Sequence, residues 1–139
     1  MTAHLTTFLL AAGLAVASAS VEAKTNDSRL YELRTYHAEP GKLNDLLARF
    51  RDHTTRLFEK HGMTNIGYWV PVENKDNLLI YLLAHKDAAA AQKSWGAFRA
   101  DPAWVAVKKA SEDAAGGSLT VPDGVKSLFL KPTDFSPVK

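Results

Sequence analysis

The sequence predicts an α+β domain of ferredoxin-like type, a four-stranded antiparallel sheet built in the order βαββααβ, and three observations predict it. A chain of 139 residues, 46% of them hydrophobic, has enough apolar material for one core and not for two. Short apolar-aromatic runs recur along it, separated by stretches whose apolar residues repeat every three and four positions, so strands alternate with helices. The run 78–85 is apolar on both of its alternating sets, Leu78, Ile80 and Leu82 on one and Leu79, Tyr81 and Leu83 on the other. Neither sheet face is therefore suited to water. Helices can cover one, and a second copy of the sheet is the simplest cover for the other, which predicts a homodimer with a partly closed dimeric α/β barrel.

The elements follow in order. Phe8 to Ala19 is an unbroken run of apolar and small residues, too short to span a bilayer, that ends in Ala17-Ser18-Ala19 and is followed by Val21-Glu22-Ala23. Residues 1–23 read as a secretory signal peptide, cleaved after Ala23 or, as the alternative, after Ala19; the mature domain is then 24–139, with its core at 30–135. A periplasmic or secreted protein with no lasting membrane anchor is expected. Leu30 to His37 is the first strand, closed by Glu39-Pro40-Gly41. Leu43, Leu46, Leu47, Phe50, Leu57 and Phe58 form one helical stripe to about His61, and Gly62 is a natural C-cap. Asn65–Val72 and Leu78–His85 are strands joined by the polar loop Glu73–Asn77 and should pair antiparallel. Asp87 caps a helix through Arg99, and Asp101-Pro102 starts another through about Ala114. Gly116-Gly117 ends it, and Val125–Leu130 is the last strand.

Charge excludes some functions. The whole chain has 17 basic and 15 acidic residues, and without the signal it carries +3, with the two signs interspersed. That is no electrostatic footprint for nucleic acid, which is not an expected partner. The absence of cysteine excludes disulfides, thiolate catalysis and thiolate-bound zinc or iron-sulfur clusters. His37, His53, His61 and His85 show no four-residue helical pair of the zinc type, so no metal and no cofactor is expected. No nucleophile elbow or phosphate loop is present.

Several spaced motifs resemble one family. Tyr31-Glu32-Leu33-Arg34-Thr35-Tyr36, Pro40-Gly41-Lys42-Leu43, Gly67-Tyr68-Trp69, and the stretch from Trp95-Gly96-Ala97-Phe98-Arg99 through Asp101-Pro102-Ala103-Trp104 stand in the order of the NIPSNAP family. The resemblance runs from about Leu30 to Phe135. It implies a dimeric α+β barrel and brings no settled activity with it.

Candidate chemistry comes from the first strand, where alternation places Glu32, Arg34 and Tyr36 on one face and Tyr31, Leu33 and Thr35 on the other. The polar set is expected to face the barrel between the subunits. With Tyr68 or Trp69 and Tyr81 from neighbouring strands it would make an aromatic cavity holding an anion-reading arginine. The alternative is a cross-strand Glu32–Arg34 ion pair that serves the sheet or the dimer alone. Trp95, Phe98 and Trp104 read as core. Two function classes follow: a small-molecule-binding or interaction protein without turnover, or a cofactor-independent enzyme of monooxygenase or isomerase type, using Glu32 or Tyr36 as acid or base and Arg34 as orienter.

Overall fold

The computed structural model describes residues 29–139; the expected signal segment lies outside the described residues. Strand β1 (Leu30–Ala38) is followed by helix α1 (Leu43–Arg49), a π-helical turn (Phe50–Thr54) and helix α2 (Thr55–Lys60). Strands β2 (Thr64–Trp69) and β3 (Leu78–His85), helices α3 (Ala88–Ala100) and α4 (Pro102–Ala115) and strand β4 (Thr120–Leu130) complete the expected βαββααβ order. The sheet runs β2-β3-β1-β4 and every pairing is antiparallel.

Local chemistry accounts for most boundaries. Gly62 takes φ +81°, the left-handed conformation that ends a helix, and the Met63 amide reaches back to the Phe58 carbonyl at 3.0 Å. The Asp87 carboxylate accepts from the Ala90 amide at 2.7 Å and Asp101 from the Ala103 amide at 2.8 Å, with Pro102 in the first turn of α4. The helix expected to run unbroken from Leu43 is interrupted by the π turn, where the buried Thr54 hydroxyl donates to the Arg49 carbonyl at 3.2 Å. β2 ends at Trp69 rather than Val72. β4 starts at Thr120, five positions before the expected Val125, because the Pro122-Asp123-Gly124 kink is taken up as an irregularity opposite Tyr36 and Ala38 instead of ending the strand.

The helices lie on one face of the sheet. Leu46, Phe50, Phe58, Trp95 and Phe98 pack there against Leu79, Tyr81 and Leu83. The alternate set, Leu78, Ile80 and Leu82, is only half-buried on the open face, beside Leu33 and the exposed Leu128. After β4 the chain turns back across one end of that face, over Tyr31 and Leu82, and the Arg29 guanidinium donates to the Lys139 carbonyl at 2.9 Å. Among the described residues no helix is long and apolar enough to cross a membrane.

Candidate functional site

β1 projects Glu32, Arg34 and Tyr36 to one side, as alternation requires, but that side is the helix-covered one. The expectation that they face a barrel between subunits is corrected. Trp95 of α3 bonds Glu32 and sets the orientation, since a polar set turned to the open face would find no partner on the apolar strands there.

Glu32 is 1% exposed and is met by four donors. Its Oε1 accepts from Arg34 Nη1 at 2.7 Å and Ser127 Oγ at 2.6 Å, and its Oε2 from Trp95 Nε1 at 2.7 Å and His85 Nε2 at 2.8 Å. A carboxylate offers about four acceptor positions, so none is left over. Burial would push the Glu32 carboxyl up, but the bonds from His85, Ser127, Trp95 and Arg34 hold it ionised, at about 2. Glu32 and Arg34 do form an ion pair, two residues apart on one strand and not across strands.

Arg34 sits at the centre of the group. Its Nε donates to the Tyr81 hydroxyl at 3.0 Å, its Nη2 makes a long contact of 3.5 Å to the Tyr36 hydroxyl, and its guanidinium stacks 4.2 Å from the Trp95 ring centre. Burial opposes the cation, yet the Tyr81 and Tyr36 oxygens and the Glu32 carboxylate hold it charged, above the usual arginine value. Three of the five N–H groups of the fork are engaged, leaving two without a protein acceptor. Burial raises the phenols of Tyr81 and Tyr68 well above their ordinary value, so both stay protonated.

Two clefts open beside Arg34. One, of about 570 Å³, lies between β1, α3 and α4 and is walled by Tyr36, Trp95, Phe98 and Trp104. The other, of about 510 Å³, lies over the uncovered β4 edge, with Leu30, Ala88 and Phe129 along it. Arg34, Trp95 and Arg99 border both.

Four of the six residues expected to share a cavity are brought together: Glu32, Arg34, Tyr36 and Tyr81. Tyr68 stacks on Tyr81 at 5.1 Å, one layer further from the clefts, its hydroxyl donating to Asn65. Trp69 is apart from them. It pairs with Ile80 on the opposite face and folds back over Gly67, where a Cβ would come within 2.5 Å of its indole. Sequence reasoning weighed His85 only as a metal ligand and passed over Ser127 and the hydrogen-bonding role of Trp95. His85 was within reach of it: positions 81, 83 and 85 alternate onto one face, so a histidine in step with Tyr81 had to point the same way. Ser127 gave no such signal, since its place opposite Arg34 depends on the β4 register. Among the described residues no three His, Asp or Glu side chains converge to hold a metal ion.

Comparisons with known proteins bear on this arrangement. The NIPSNAP family model matches residues 31–137. A NIPSNAP family protein of unknown function from Agrobacterium tumefaciens is 21% identical with a TM-score of 0.69, the match covering 82% of this chain and 96% of that one. An uncharacterised NIPSNAP domain protein from Burkholderia xenovorans is 23% identical with a TM-score of 0.64, over 78% of this chain and 98% of its own. A Streptomyces coelicolor monooxygenase, solved in complex with the ligand nanaomycin D, shares the fold at 12% identity and a TM-score of 0.52, over 81% and 95%. No curated protein matches the chain. The family match spans the sheet, all the helices and the strand that carries Glu32, Arg34 and Tyr36, and the chain belongs to the NIPSNAP family.

Proposed function

We propose that this chain is an exported, homodimeric small-molecule-binding protein whose ligand lies in the cleft between β1, α3 and α4. The observation that carries the reading is the unequal satisfaction of Glu32 and Arg34. Glu32 has every acceptor position filled and is held ionised, so it supports Arg34 and has nothing left with which to take a proton from a ligand. Arg34 is fixed by Glu32, Tyr81 and the Trp95 ring and keeps two N–H groups beside a cleft of about 570 Å³, a volume typical of small-molecule sites. Preorganised donors next to aromatic walls suit recognition. The half-buried apolar sheet face supports a second copy as its cover, and the apolar segment 8–19 supports export.

One observation favours a second reading, a cofactor-independent enzyme of monooxygenase or isomerase type: the fold is similar to that of the Streptomyces monooxygenase. In that case Tyr36, the phenol that borders the cleft, exchanges the proton and Arg34 orients the substrate.

Native mass spectrometry of the purified mature protein, with and without denaturation, tests the binding reading. The expected result is a small molecule released in stoichiometric amount from the wild type and reduced in Arg34→Lys, which keeps the charge and loses the fork. A protein that carries nothing, and that takes up no member of a small-molecule library by calorimetry, refutes it. Conversion of a captured ligand to product in air favours the enzyme.

A further inference from the structure

We infer that the ligand is a planar aromatic monoanion, its ring against Trp95 and Trp104 and its charged group between Arg34 and Arg99. This rests on the binding reading and adds the chemical class.

Charge around the two clefts is nearly balanced. Among the residues that line them, Glu32 neutralises Arg34 at 2.7 Å, Glu112 stands 4.0 Å from Lys108 and is shared with Arg49 at 3.9 Å, which lines neither cleft, and Asp113 lies 2.6 Å from Lys109. Arg99 is the remaining cation of the two linings, with no carboxylate in ion-pair range among the described residues, and it borders both clefts together with Arg34. One uncompensated positive charge matches one negative charge on the ligand. A phosphate dianion is disfavoured for a further reason: the N-termini of α3 and α4, the usual anion sites of helices, are already capped by Asp87 and Asp101.

The aromatic requirement comes from the walls. Trp104 packs against Phe98 with ring centres 4.5 Å apart and carries the Arg49 guanidinium 5.3 Å over its ring, and Arg34 covers the Trp95 face, so the indoles meet the cleft by their edges, which favour the face of another ring. The second cleft continues from the same Arg34–Trp95–Arg99 crossing over apolar Leu30 and Phe129, so the ring system has room to extend beyond a single ring. Planar carboxylates match the two free N–H groups of Arg34 as well.

Calorimetry on the mature protein at pH 7 with four probes tests the class: 2-naphthoate, neutral 2-naphthol, cyclohexanecarboxylate and phenyl phosphate. The expected order has 2-naphthoate tightest, about tenfold over 2-naphthol for the charge-assisted bond. Arg99→Gln, an exposed change, is expected to weaken 2-naphthoate about three- to fivefold and leave 2-naphthol unmoved. Equal binding of 2-naphthol, tighter binding of phenyl phosphate or cyclohexanecarboxylate, or an unaffected Arg99→Gln overturns the inference. If none of the probes binds while a different co-purified molecule is found, the class falls and the binding reading stands; if nothing binds or co-purifies, both fall.

Discussion

Glu32 couples this protein to acid through its four bonds. Its carboxyl titrates near 2 in the fold and near 4.5 in an unfolded chain, so the depressed value stabilises the fold. That contribution, on the order of 3 kcal/mol, is complete above about pH 4.5 and is lost as pH falls toward 2. Denaturant titrations between pH 6 and 2.5 should show the loss, and Glu32→Gln should flatten it. The same substitution should cost about 3–5 kcal/mol at pH 7, because the amide nitrogen would face donors and Arg34 would stay buried without its counter-charge. Ser127→Ala removes one donor of four and should cost only about 1 kcal/mol. A Glu32→Gln variant as stable as the wild type would show that the network is not structural. At this scale alternation made Glu32, Arg34 and Tyr36 legible as a set, because period two is a property of any strand. The distant partners of Glu32 lie 53, 63 and 95 residues away, and strand period says nothing of which distant residue arrives opposite.

Caps and glycines decide where the elements begin and end. Asp87→Ala removes a side-chain cap from an exposed helix start and should lower stability by about 1 kcal/mol in a denaturant melt, with the fold unchanged by circular dichroism. Gly124→Ala should cost more, about 1–3 kcal/mol, since a Cβ there would stand 2.6 Å from the Val121 side chain and 2.8 Å from the Val121 carbonyl. A neutral Gly124→Ala would mean that the β4 kink yields freely. Asp101 joins two elements at once: while one oxygen caps α4, the other accepts from Lys60 and His61, both at 2.7 Å, tying the end of α2 to the α3–α4 corner. These two bonds and the Ala103 amide hold the Asp101 carboxyl below its ordinary value. The Asp-Pro start of α4 was readable in the sequence, whereas the tie to α2 requires the two helices to be folded side by side.

For the whole molecule the proposed homodimer rests on the open sheet face. Leu128 is 57% exposed and Trp69 54%, on a face that also carries half-buried Leu33, Ile80 and Leu82. Light scattering should return twice the mature chain mass for the wild type and once that mass for Leu128→Asp. Because Leu128 is already exposed in a single chain, its substitution should leave the fold of each copy intact. A monomeric wild type would count against the paired-sheet assembly and leave the Arg34 cleft untouched, since that cleft is bounded by one chain alone.

The sequence by itself determined the element order, the helix caps, the two-sided apolar character of β3 and the grouping of Glu32, Arg34 and Tyr36 on one strand face. All of these depend on spacings of two to four residues or on single capping positions, where local geometry governs. Only the tertiary structure decided which face of the sheet the helices took. That choice turned the polar set away from the open face, sent Trp69 to the other side, and brought His85, Trp95 and Ser127 onto one carboxylate. The physical reason is that a buried charge needs all its donors at once, and those donors come from four elements, β1, β3, α3 and β4, that meet only when the sheet and α3 have packed.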